Sequence, residues 1–338
     1  MIYTYNFSIR GTDHETSGKP CQDYSAILNT RPDGWVIAAS ADGVGSANHA
    51  EIGSQLAVEV ALQVVNENFY GSAKDDVLSI IRSAFQAAMD EIHQRAIADN
   101  NSIDEYDTTL DLAVYNGETL HYGHSGDGGI IGLGCDGAYV PVTQPQKDGR
   151  YVIPLRAGLC AWDVGTYSKP LTSVLLATDG IWNTICPYKF HIAKMQGVAL
   201  LSDLYIPLCA FFLDPAWFST TQEEPRKIIR DFINNKLPKD EFYQYLRICY
   251  SKHLGDEALA NTAIEGLRVY DMPLRAMCFV SDDITTVGLV NMSTPPPPQA
   301  CSYYREVDWE AVELAVRKIM FPHLYLEATD GEIDVIVV

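Results

Sequence analysis

Three short apolar runs that lead into acidic residues constrain this chain more than any other feature. Val36-Ile37-Ala38-Ala39-Ser40-Ala41 leads to Asp42-Gly43, and Val174-Leu175-Leu176-Ala177-Thr178 leads to Asp179-Gly180. Ala276-Met277-Cys278-Phe279-Val280-Ser281 leads to Asp282-Asp283. Consecutive apolar positions over such short lengths read as strands buried on both faces. A fourth carboxylate, Asp127, lies in Gly123-His124-Ser125-Gly126-Asp127-Gly128-Gly129, between two further strand-like runs. Asp-Gly is ordinarily turn chemistry, and Asp33-Gly34 and Asp136-Gly137 are read that way because short alternating runs flank each. Asp42 differs, since Val44-Gly45-Ser46 and a helical pattern follow it instead of a return strand. Carboxylates gathered at the ends of central strands repel one another unless cations sit among them. An all-oxygen donor set favours hard ions, Mg²⁺ or Mn²⁺, over zinc.

The rest of the pattern supplies the layers around those strands. Residues 3–9, 23–29 and 35–40 alternate as strands, the last two joined across Pro32-Asp33-Gly34. Ile52, Leu56, Val60 and Val64 recur four residues apart, the stripe of an amphipathic helix. Val77, Ile81, Ala84, Phe85, Ala88 and Ile92 mark a second helix, opened by Ser72-x-x-Asp75, which resembles a capping box. From 108 to 143 the period returns to two. Hairpins are expected across Asn116-Gly117 and Cys135-Asp136-Gly137, with further strands at 151–155, 173–177 and 285–290. Strands, two helices and strands again describe an α+β layered domain. Residues 186–279 carry helical patterning without a chemical motif, with helices expected at 225–237 and 240–253. They read as a helical insertion beside the site that selects the substrate. Pro295 to Pro298 form a stiff linker within 294–299, followed by a C-terminal helix and tail over 300–338.

Charge narrows the function classes. Lys and Arg number 24 against 44 Asp and Glu, a formal net charge of −20. Such a field repels nucleic-acid backbones and anionic lipid heads and concentrates divalent cations. The eight cysteines include no C-x-x-C pair and are irregularly spaced, so neither a structural zinc site nor a disulfide framework is expected. No signal-peptide pattern opens the chain, and the apolar stretch 206–218 is interrupted by Asp214 and Pro215. A cytoplasmic protein without membrane association is the expectation. No Gly-rich loop ending in Lys-Ser/Thr supports nucleotide binding.

Six motifs in order carry a family resemblance: Cys21-Gln22-Asp23, Ala41-Asp42-Gly43-Val44-Gly45-Ser46, Asp107-Thr108-Thr109, Gly126-Asp127-Gly128, Ala177-Thr178-Asp179-Gly180-Ile181-Trp182 and Asp282-Asp283-Ile284-Thr285. Over residues 1–293 the chain resembles PP2C-type protein phosphatases, metal-dependent Ser/Thr phosphatases. The Gly11-Thr12-Asp13-His14 segment is similar to that of their bacterial branch. The resemblance implies a four-layer αββα sandwich. It also implies phosphomonoester hydrolysis through a metal-activated bridging water, with two Mg²⁺ or Mn²⁺ ions and an additional weaker one. Carried over, Asp42 bridges both metals, with the Gly43 carbonyl as a further ligand, and Asp179 and Asp282 complete one metal. Asp23 acts through metal-bound water, and Asp127 holds the additional ion.

Departures from the family pattern leave two questions open. An Arg that commonly grips the substrate phosphate is missing, and His14 or Lys19 is its replacement, with the Gly-x-x-His resemblance tipping the choice to His14. Gln22 replaces an acidic residue, Val44 replaces a His, and Asn183 stands where a second ligand of the additional ion is often Asp. These changes keep alive a second reading, a catalytically weak phosphoprotein-binding or regulatory module. The expected partner is a phosphoserine or phosphothreonine protein, with a cognate Ser/Thr kinase. His121 and His124 read as satisfied core residues, Trp182 as packing, and Thr108-Thr109 as support for the sheet.

Overall fold

The chain opens with β1 (Ile2–Ile9), α1 (Thr12–Ser17), β2 (Tyr24–Leu28) and β3 (Val36–Ala41). Helices α2 (Ala50–Asn68) and α3 (Lys74–Asp99) follow, then strands β4 (Leu110–Tyr115), β5 (Leu120–Ser125), β6 (Gly129–Gly134) and β7 (Tyr139–Pro141). Next come β8 (Lys147–Asp148), β9 (Tyr151–Val152), β10 (Asp163–Thr166), β11 (Leu171–Ala177) and α4 (Asp179–Ile185). The last described elements are β12 (Phe190–Ile192), β13 (Gly197–Ala199), α5 (Ile206–Leu213), α6 (Pro225–Ile233) and β14 (Ile284–Asn291). The computed structural model describes residues 1–29, 31–70, 74–149, 151–185, 190–192, 197–199, 204, 206–215, 225–233, 281–297 and 299. The expected helices at 240–253 and in 300–338 lie outside them.

Two five-stranded antiparallel sheets form the centre, one ordered β1-β14-β11-β6-β7 and the other β10-β5-β4-β3-β2. The period-two pattern of β3 explains how they stack. Val36 and Ala38 face the opposite sheet, in a core with Ala113, Ile130, Val174, Leu176 and Val287. Ile37, Ala39 and Ala41 face the other way, into a core with Ala57 and Ala61 of α2 and Phe85 of α3. A strand with apolar partners on both sides must be apolar at consecutive positions. Each Ile or Leu buried there contributes about 2 kcal/mol.

The outer face of the first sheet is covered by α4 and α5. Ile181, Trp182 and the whole stretch from Cys209 to Leu213 are buried, and Tyr5 Oη donates to the Phe212 carbonyl at 2.8 Å. Helices therefore flank both sheets, the four-layer αββα order. Within 186–279, the region expected to be a helical insertion, the described residues include both strand and helix: β12 and β13 pair as a short antiparallel hairpin, while α5 joins the central packing.

Other elements depart from the sequence pattern. Helix α1 and strand β10 have too few residues to show a period. The strand expected at 151–155 stops at Val152, and Leu155–Ala157 is a 3₁₀ turn whose Leu155 carbonyl accepts the Trp162 indole N–H at 2.8 Å. No helix among the described residues is long and apolar enough to cross a membrane.

Candidate metal centre

Five strand ends meet at one end of the sandwich, and each delivers a carboxylate. Asp42 follows β3, Asp23 precedes β2, Asp127 sits between β5 and β6, Asp179 opens α4 after β11, and Asp282 precedes β14. One oxygen each from Asp42, Asp127 and Asp179 lies within 4.8 Å of the others. The carboxyls of Asp23 and Asp42, of Asp42 and Asp179, and of Asp179 and Asp282 are each close enough to share a proton. The sequence residues proposed as ligands are thus brought together. Asp282 arrives differently from the expectation: Ser281 is helical and Asp282 introduces β14 instead of closing a strand, while residues 276–280 lie outside the described set.

Backbone hydrogen bonds fix the Asp42 loop. Asp42 N–H donates to Thr109 Oγ1 at 2.8 Å, Thr108 Oγ1 donates to the Asp42 carbonyl at 2.9 Å, and Val44 N–H donates to the Asp107 carbonyl at 2.9 Å. The Thr108-Thr109 pair supports the site as the sequence suggested. Gly43 N–H donates to the Gln22 carbonyl, and no hydrogen bond is accepted by the Gly43 carbonyl among the described residues. Across the sheets, Thr178 Oγ1 donates to Asp23 Oδ2 at 2.8 Å, tying β2 to the β11 end.

The electrostatics are those of crowded like charges. Burial and then the charges of Asp23, Asp179, Asp282 and Asp127 push the Asp42 carboxyl well above the usual carboxylate range. Burial, followed by the Asp283 charge, does the same to Asp23. Asp179 is pushed up to about 7 by burial, Asp282 and Asp127. Proton sharing or bound cations relieve such repulsion, and the donor set here is all oxygen. Hard divalent ions fit it. Asp42, Gly43 O, Asp127, Asp179 and Asp282 are the groups that could hold them, with Asp127 already paired to a lysine.

Lys147 and Asp283 also join this cluster; the sequence reading did not single out Lys147 and gave Asp283 no role. Lys147 Nζ pairs with Asp127 Oδ2 at 2.8 Å. The segment carrying it docks beside the end of β5: Gln146 N–H donates to the Gly126 carbonyl at 2.6 Å, and His124 Nε2 bonds to the Gln144 carbonyl at 3.0 Å. His124 Nδ1 in turn meets Asp111 Oδ1 at 2.6 Å. His121 Nδ1 meets Thr166 Oγ1 at 2.8 Å and its ring stacks on Trp35. Both histidines are satisfied core residues, as read, and Trp182 packs in the interior. Asp283 accepts from Gly11 N–H at 2.7 Å, Gln22 N–H at 2.6 Å and His14 Nδ1 at 2.8 Å. It locks the N-terminal segment against β14. A doubled Asp282-Asp283 was its one sequence signal.

The two phosphate-anchor candidates are both near this end and both engaged. His14 spends Nδ1 on Asp283, which leaves Nε2 for another group. Lys19 Nζ donates to the Gly45 carbonyl at 2.9 Å, over the loop that follows Asp42.

A family model described as Protein phosphatase 2C matches residues 10–204. Among solved structures, a serine/threonine phosphatase from S. agalactiae is 14% identical, with 86% of this chain and 99% of that one covered and a TM-score of 0.51. Stp1 from Staphylococcus aureus is 11% identical over 86% and 95% of the two chains, with a TM-score of 0.48. The Mycobacterium tuberculosis phosphatase PstP/Ppp is 15% identical over 86% and 98%, with a TM-score of 0.46. No curated protein sequence matches the chain.

Proposed function

The chain belongs to the protein phosphatase 2C family, and we propose that it is a metal-dependent serine/threonine phosphatase acting on a phosphoprotein, with a Ser/Thr kinase as its cytoplasmic counterpart. The observation that carries this reading is the row of carboxyls from Asp23 through Asp42 and Asp179 to Asp282, whose proton affinities are raised by burial first and by neighbouring carboxylate charges second. Two divalent ions there would supply Lewis acidity toward a phosphoryl oxygen and acidify the water they share. Asp42, placed centrally and held by Thr108 and Thr109, is the carboxylate to bridge them, with the Gly43 carbonyl beside it. Asp179 and Asp282 would be further ligands. Asp23, fixed by Thr178, orients water. His14, whose ring Asp283 holds through Nδ1, presents Nε2 to the substrate phosphate.

A second reading, a catalytically weak phosphoprotein-binding module, is favoured by the engagement of both anchor candidates with the protein itself. Hydrolysis of p-nitrophenyl phosphate and of a phosphothreonine peptide separates the two. Turnover that EDTA abolishes and Mn²⁺ or Mg²⁺ restores is the expected result. Peptide binding without metal-restored turnover would establish the binding module.

A further inference from the structure

We propose that the Lys147 ammonium takes the place of a metal ion at Asp127, so that the centre recruits two divalent ions and not three. The inference rests on the metal reading above. It starts from the 2.8 Å pair between Lys147 Nζ and Asp127 Oδ2, whose side chains are 29% and 11% exposed. An ion coordinated through Oδ2 would first have to displace a cation already in contact with it, and one coordinated through the other oxygen would sit beside that positive charge.

The position of the ammonium is not left to a flexible side chain alone. Residues 144–147 run beside residues 124–127 through three attachments: His124 Nε2 to the Gln144 carbonyl, the Gln146 main chain to the Gly126 carbonyl, and Lys147 to Asp127. The Gln146 side chain adds a fourth, accepting the Gly126 N–H at 3.3 Å. A lysine delivered on such a register behaves as part of the site.

Charge balance points the same way. Asp23, Asp42, Asp127, Asp179 and Asp282, with Asp283 beside them, bring six negative charges when ionised. Two divalent ions and one ammonium nearly neutralise them, whereas a third divalent ion added beside Lys147 would leave an excess of positive charge in a half-buried site. Lys147 is accordingly a positioning residue that sets the number of metals.

The test is Mn²⁺ stoichiometry, measured by titration calorimetry and by electron paramagnetic resonance on the full chain. Wild type should bind two ions. Lys147→Met should gain a third, weaker binding step, and adding Asp127→Asn to it should remove that step. Asp127→Asn alone should leave the count at two, with affinities within about threefold, and this arm stands by itself if Lys147→Met does not fold. Three ions in wild type, two in a folded Lys147→Met, or one in Asp127→Asn would each overturn the proposal. Failure of wild type to bind any Mn²⁺ would instead remove the metal reading, and this proposal with it.

Discussion

At the hairpin end of the sandwich, Asp33-Gly34 closes the β2–β3 connection with Gly34 at φ 79° and open space where a Cβ would stand. At the carboxylate end, Gly43 and Gly180 follow Asp42 and Asp179 with no positive φ. A Cβ on Gly43 would come within 2.7 Å of the Ala50 and Gln22 carbonyl oxygens, and one on Gly180 within 2.2 Å of the Asp283 carbonyl oxygen. The acidic partners differ as well. Asp33 is held below the usual carboxylate range by the Arg31 guanidinium, whereas Asp179 is pushed up to about 7 by burial and neighbouring carboxylates. The same dipeptide serves backbone rotation at one end. At the other it permits backbones to approach closely enough to crowd their carboxylates. What distinguishes a ligand from a turn is therefore what packs against the glycine, a property of the fold and not of the dipeptide.

Substitution of the carboxylates should separate the two ends most sharply. Asp42→Asn should reduce metal-dependent turnover of p-nitrophenyl phosphate by more than about 10²-fold, the scale on which preorganised electrostatic groups act. Asp33→Asn should leave turnover within about twofold of wild type. Comparable losses in both variants would dissolve the distinction.

The glycines give the next largest effect. Gly180→Ala forces a methyl into the Asp283 carbonyl and shifts the β14 entry that carries Asp282. A stability loss of about 1–3 kcal/mol is expected, as for other overpacked sites, together with reduced turnover. Gly34→Ala strains a positive φ and costs about 1 kcal/mol while turnover stays intact. Denaturant midpoints and rates on both variants decide whether closeness and rotation are the two reasons for glycine here.

How much of this was legible in the chain follows from the same contrast. The alternating and doubly buried runs placed β3, β11, α2 and α3, because one residue's burial there is set by its immediate neighbours in sequence. Asp42, Asp127 and Asp179 were visible because they end or join such runs. Asp282 was visible as a carboxylate ahead of the strand expected at 285–290, yet the helical Ser281 before it was not. Lys147 was invisible: Thr143-Gln144-Pro145-Gln146-Lys147 has no period, and its position depends on contacts with Gly126 and Asp127 about twenty residues away. Asp283 likewise meets Gly11, His14 and Gln22, some 260–270 residues distant. Long-range polar contacts leave no local pattern.

The anchor should have a moderate effect confined to the carboxylate end. His14→Ala should raise KM for a phosphopeptide about tenfold if Nε2 grips the phosphate, while Lys19→Ala, whose ammonium is a flexible point charge already bonded to Gly45, should change KM by less than about threefold. Reversal of that order assigns the anchor to Lys19. His14→Gln, compared in melting temperature with His14→Ala, separates phosphate grip from loss of the Asp283 contact.

The smallest effect concerns the buried pair of Asp111 and His124, whose side chains meet at 2.6 Å. The Gln144 carbonyl can only accept, so His124 Nε2 carries a proton, and a second proton lies between His124 Nδ1 and Asp111 Oδ1. Burial works against a charged ring, but Asp111, the two hydrogen bonds and the charge of Asp163 outweigh it, and the proton affinity of His124 is raised. Asp111 is itself raised by burial, an effect the His124 charge opposes, and the charge of Asp127 adds to the rise. Because the folded state holds the His124 proton more tightly than the unfolded state, its stabilisation is complete below the unfolded value of about 6.5 and is lost as pH rises through the higher folded value. Melting temperatures measured at saturating Mn²⁺ from pH 6 to pH 9 should fall more steeply in wild type than in His124→Gln, which keeps a side-chain amide but does not titrate. The residues that present Lys147 should loosen over the same interval, seen as faster amide hydrogen exchange at Gln146 after correction for the intrinsic pH dependence. Parallel melting slopes in the two proteins would mean that the proton between His124 and Asp111 resides on the carboxyl, and that this pair belongs with the crowded, proton-sharing carboxyls beside it.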